Sequence, residues 1–252
     1  MRVPHRVLLS LCLCLGAPGA LAQDGLVRLG VASGERARQA SRTGLRLREN
    51  AEAARIEEAA RDDVARLLSR GAENPGPETA RDVPPLPERD RRRLEQELAV
   101  LDARVAARAA QRAGWLRAAG LEVDPALRLL PGDPPEPWLA DVTLDPAVLV
   151  ARVHDASRRE LVRAYVHEHA GLQARLATLE ALVPVQTEAL ARARGELVEG
   201  RAPLEDVLTL LRANLALELE VLALRVRREQ SVWELAALLE CTPESVVVAG
   251  AR

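Results

Sequence analysis

The sequence predicts an all-α fold, a long antiparallel coiled-coil helical hairpin with additional N-terminal helices and no membrane β-barrel evident. Three observations carry this. Ala, Leu, Arg and Glu dominate while Phe is absent, Tyr165 is the single tyrosine and the tryptophans number three, the profile of long helices rather than of a mixed core. Large apolar residues recur at alternating four- and three-residue steps. Proline and glycine gather in two linkers and leave long stretches between them that nothing interrupts strongly.

At the N-terminus, Arg2, His5 and Arg6 precede an apolar run from Val7 to Leu15, followed by Ala17, Gly19, Ala20, Leu21 and Ala22. A basic segment, a short apolar core and small residues at the end make residues 1–22 a signal peptide, with cleavage expected between Ala22 and Gln23. The run is too short to span a bilayer. Cys12 and Cys14 each follow Leu, where lipid attachment would want a small residue, so no lipid is expected. Removal of 1–22 takes two of the 35 basic residues and none of the 37 acidic ones, which moves the net charge from −2 to about −4. Near-balance of this kind argues against nucleic-acid binding, which needs a basic excess on one face. Cys241 is then the only remaining cysteine, so no intrachain disulfide is available.

The first helix is expected over Gly34–Arg70, rich in Ala and charge, with Leu45, Ile56, Val64, Leu67 and Leu68 as its few large apolar residues. Gly71 stops it. A Pro-rich linker over 72–87 follows, because proline removes its own helical hydrogen bond and disfavours the helical conformation of the residue before it. A second helix runs from Glu88 to about Ala119, where Leu94, Leu98, Leu101 and Val105 form a coiled-coil seam closed by Trp115 and Leu116. Residues 23–120 thus make an N-terminal helical region, and the Pro-rich connector 121–144 around Trp138 marks a domain boundary.

Asp145-Pro146 is a helix start with a mechanism: the Asp side chain caps free N–H groups, and proline at the first helical position lacks one. From here one helix is expected to about Glu199, with Leu172, Leu176, Leu179, Val183, Leu190 and Leu197 on a heptad and a kink near Pro184. After Gly200-Arg201-Ala202-Pro203 a returning helix reaches about Glu240 on the line Leu204, Leu208, Leu211, Leu215, Leu222, Val226 and Trp233. It carries a second line, Val207, Leu210, Leu217, Val221 and Leu224, and two lines require two neighbours. Residues 145–240 form the hairpin and 241–252 a C-terminal tail.

Residues Ala191–Leu208, with Gly200 followed by Asp206-Val207-Leu208, and the long helix ending in Trp233-Glu-Leu-Ala-Ala-Leu-Leu239 resemble the C-terminal coiled-coil hairpin of the TolC family of outer-membrane efflux proteins. The resemblance covers roughly 146–240. It implies a trimeric channel tunnel whose hairpin tips dock onto the adaptor of a tripartite pump, and it makes Glu199, Gly200, Arg201, Ala202, Pro203, Leu204, Asp206, Val207 and Leu208 partner-facing. Members of that family carry two hairpins and four membrane strands. Residues 23–140 show no second tip motif, and a chain without Phe and with one Tyr cannot supply the aromatic girdles of a membrane barrel, so this chain resembles a reduced member.

The expected function is therefore a TolC-like component of an envelope efflux or transport assembly, in the periplasm or at the outer membrane, presenting a hairpin to partner helices. The alternative is a periplasmic coiled-coil scaffold or adaptor unrelated to transport. Expected partners are the periplasmic adaptor protein of an efflux pump, a second copy of the chain, or both, with membrane contact only through partners. The uncovered line at Leu210, Leu217, Val221 and Leu224 favours self-association, since a strip of this kind is rarely left in water; the N-terminal helices are the competing cover.

No catalytic, cofactor or metal site is expected. His167 and His169 lie two apart, and two steps on a helix point them about 200° from each other, whereas chelation needs steps of three or four; they are expected to form a solvated charged turn. No nucleophile, base and orienting group share a context that would place them in a pocket. Asp62-Asp63 and Arg91-Arg92-Arg93 are expected to be exposed faces, Trp233 and Cys241 core. Export and cleavage predict that the chain recovered from the cell envelope begins at Gln23 and takes up no labelled palmitate. N-terminal sequencing checks this, and a lipid-bearing Cys12 or Cys14 at the terminus would overturn it.

Overall fold

The structure, a computed structural model, describes residues 34–70, 86–118 and 144–250. The segment expected to be a signal peptide, most of both Pro-rich linkers and Trp138 lie outside the described residues. The described elements are helices: α1 Gly34–Arg70, α2 Glu88–Ala118, α3 Pro146–Ala151, α4 Ala156–Val198, α5 Leu204–Leu238 and α6 Pro243–Gly250. No helix among them is long and apolar enough to cross a membrane.

Two differences from the expected elements have local causes. Asp145 caps α3 as expected, its carboxylate accepting from the Ala147 N–H at 2.8 Å with Pro146 at the first helical position. The helix then stops at Ala151 instead of running to Glu199. Asp155 opens α4 by accepting from the Arg158 N–H at 2.8 Å. The Arg159 guanidinium donates to the carbonyls of Val153 at 2.8 Å and His154 at 2.7 Å, which satisfies backbone groups that the break leaves open. α4 then continues through Pro184 and Gly171 to Val198, about 65 Å at 1.5 Å per residue. The second difference is that 243–250, expected only as part of a C-terminal tail, is a helix. Thr242 opens it, its hydroxyl accepting from the Ser245 N–H at 3.2 Å.

The described residues divide into two compact units; the connector expected at 121–144 lies outside the described residues except for Leu144. Among the described residues, unit 1 takes 34–50, 112–118, 144–177 and 223–250; unit 2 takes 51–70, 86–111 and 178–222. The cuts fall inside α1, α2, α4 and α5, because helices this long find their neighbours sideways rather than along the sequence.

In unit 2, the described parts of α1, α2, α4 and α5 share one core of Val64, Leu67, Leu94, Leu101, Leu190, Ala193, Leu204, Val207, Leu208, Leu211 and Leu215. Ion pairs give the directions. Glu57 meets Arg108 and Arg61 meets Asp102, so α1 and α2 run antiparallel. Arg93 meets Glu205 and Glu97 meets Arg212, so α2 and α5 run parallel. Asp63 meets Arg194, which sets α1 beside α4, and Thr187 meets Asn214 across α4 and α5. The order around the unit is α1, α2, α5, α4, which puts α2 and α4 at opposite corners.

In unit 1, a second core joins Leu144, Leu149, Val153, Val162, Val166, Val232, Leu235, Ala236 and Val246, with Tyr165 and Cys241 against it. Here α4 and α5 run antiparallel where they touch: Arg158 meets Glu240, Glu168 meets Arg227 and His169 meets Ser231. α6 completes this core through Val246. Cys241 is half-buried rather than fully enclosed; burial pushes its thiol up, and nearby Arg152 opposes that.

α5 ends on an unusual residue. Glu240 adopts φ 53°, the left-handed region, while the Cys241 N–H reaches back to the Ala236 carbonyl at 3.0 Å. A side chain costs about 1–2 kcal/mol in that conformation and glycine avoids the clash. The Arg158–Glu240 pair does not compensate, since both side chains are mostly exposed and such pairs contribute little. Glu240→Gly is therefore expected to stabilise the chain by about 0.5 kcal/mol after the greater unfolded-state entropy of glycine is counted. Glu240→Ala, which keeps the strain, should not. Urea unfolding followed by circular dichroism compares the two.

Candidate partner-binding surface

The turn between α4 and α5 is closed by its own backbone. The Arg201 N–H donates to the Glu196 carbonyl at 2.8 Å and the Gly200 N–H to the Leu197 carbonyl at 3.0 Å. These two bonds, with Gly200 at φ 72°, form a Schellman motif that satisfies the last carbonyls of α4. Ala202 adds a bond to Glu196 at 3.2 Å, and the Asp206 N–H reaches the Pro203 carbonyl at 3.2 Å as α5 begins. Glu205 and Asp206 sit in the first turn of α5, where the positive end of the helix dipole favours carboxylates.

Of the residues expected to face a partner, the structure leaves Glu199, Gly200, Arg201, Pro203 and Asp206 exposed and Ala202 half-buried. Leu204, Val207 and Leu208 are different: at 2 %, 0 % and 2 % exposure they belong to the core of unit 2. A side chain that fills a core is not open to a partner, so these three hold the turn in place, while Asp206 on the other side of the same helix turn stays exposed. Glu199 and Arg201 pair with each other across the turn.

The second apolar line of α5 is covered within the chain. Val207 packs in one core with Val64 and Leu67 of α1 and Leu94 and Leu101 of α2, and half-buried Leu210 packs against that core. Leu217, Val221 and Leu224 are buried as well. The strip expected to drive self-association is thus not in water; at Val207 and Leu210 the few large residues of α1 and α2 share its core.

Electrostatics near this end were legible only in part. Arg91 and Arg92 are exposed, as expected, and pair along their own helix with Glu95 and Glu88. Arg93 reaches across to Glu205 at 2.6 Å. Asp62 is exposed, whereas Asp63 turns inward between Arg66 and Arg194. Glu97 and Glu57 are buried, each held by two guanidinium nitrogens, of Arg212 at 2.6 and 3.2 Å and of Arg108 at 3.3 and 3.4 Å. The hydrogen bond to Glu97 raises the Arg212 pKa, against a smaller opposing effect of burial.

Comparison with protein-family models, with curated proteins and with solved structures finds no match.

His167 and His169 also part company. His167 is exposed, whereas His169 is buried with its Nδ1 2.9 Å from the Ser231 hydroxyl, so the solvated turn expected there is half wrong. Ser231 gives its single hydroxyl hydrogen to the Arg228 carbonyl at 2.6 Å, which makes His169 Nδ1 the donor and fixes its tautomer. Trp233 is half-buried on its seam, its indole N–H buried without a hydrogen-bond partner among the described residues.

Two glycines should respond oppositely to the same change. A Cβ at Gly200 or at Gly171 would meet nothing within 4 Å, so only backbone terms decide. Gly200→Ala is expected to destabilise by about 1 kcal/mol because of the positive φ, with Gly200→Asn milder. Gly171→Ala, inside α4, is expected to stabilise by about 0.5–1 kcal/mol. Chemical denaturation of the three variants provides the check.

Proposed function

We propose that the chain is an exported, TolC-like component of an envelope efflux or transport assembly, and that it acts by presenting the Gly200 end of unit 2 to the helices of a periplasmic adaptor protein. The observation that carries this reading is the turn itself. Its backbone is closed by a Schellman motif, its inward residues are anchored in the core, and its exposed remainder offers Glu199, Arg201, Pro203 and Asp206 in a fixed arrangement. A surface fixed before binding gives up little entropy on binding.

A second feature is consistent with the reading. α1 and α2 form an antiparallel pair beside α4 and α5, and Leu68, Leu86, Leu197 and Leu204 share or border one core, so the C-terminal end of α1 and the start of α2 lie at the same end as Gly200. The resemblance implies two hairpins per chain; we take this pair, whose sequence lacks the tip motif, as the counterpart of the other one.

The test is photocrosslinking in intact cells, with a photoreactive residue at Arg201 or Asp206 and a control at exposed Glu58 of α1. The expected outcome is an adduct to a membrane-fusion adaptor from the two tip positions and none from Glu58. Adducts confined to envelope proteins without a transport role would replace this reading with the periplasmic scaffold. Equal labelling from all three positions would remove the tip as a binding site.

A further inference from the structure

We draw no further inference here: the strongest candidate, the uncharged outward face of α4 at Ala181, Leu182 and Val185 in unit 2, is an unpartnered apolar patch, and nothing in the structure shows what covers it.

Discussion

Helix α5 must be covered on two sides, and most of unit 2 follows from that. Its first line, through Leu204, Leu208, Leu211 and Leu215, and its second, beginning at Val207, are both dry, and each buried side chain of this kind contributes about 1.5–3 kcal/mol relative to exposure. α4 covers one side. Sequence connectivity leaves the other to α1 and α2, whose large apolar residues are few but fall where the line needs them, at Val64, Leu67, Leu94 and Leu101. An Ala-rich helix that looks too shallow to build a core becomes an adequate lid when its neighbour brings the leucines.

Apolar contact alone leaves register loose, because one leucine row slides over another with little penalty. Glu57 and Glu97 remove that freedom. A carboxylate taken out of water is costly unless a cation meets it with good geometry, and only one alignment of α1 with α2, and of α2 with α5, puts Arg108 and Arg212 in reach. The guanidinium groups remain partly or mostly exposed, which keeps the cost of the pair down while the buried acid supplies the selectivity. The exposed pairs along single helices, such as Arg92 with Glu88, have no such role.

The helix bounds were largely readable, and the reasons for success and failure are specific. α1 and α2 end at Pro and Gly clusters that no helix tolerates, and Asp145-Pro146 and Gly200 act through backbone chemistry local to a few residues. The break at Arg152–Asp155 was hidden because Val153 and Val162 continue an apolar spacing that a single helix would also give; what ends α3 is a second capping Asp and an Arg159 side chain that folds back on two carbonyls. α6 was hidden because eight residues are too few for a period to show. Of the expected tip, the inward and outward residues could be separated only once α1 and α2 were known to share the core, since the heptad gives a direction relative to one neighbour and α5 has more than one.

The same two helices bury different chemistry in different places. In unit 2, α4 and α5 meet through Leu190, Ala193, Leu208 and Leu211. In unit 1 they bring His169, Arg228, Glu229 and Ser231 to positions almost without solvent. Each polar group, once buried, must find its partner or forfeit the hydrogen bonds it had in water. The chain from His169 to Ser231 to the Arg228 carbonyl does this with one hydrogen per bond, and it closes only when α4 and α5 stand at one rotation about their axes. Within unit 1 these directional bonds orient the pair beside the apolar core of Val162, Val166, Val232 and Leu235. The orientation of the Glu199–Pro203 turn is therefore set by contacts in its own unit, with Leu204, Val207 and Leu208 as its immediate anchors.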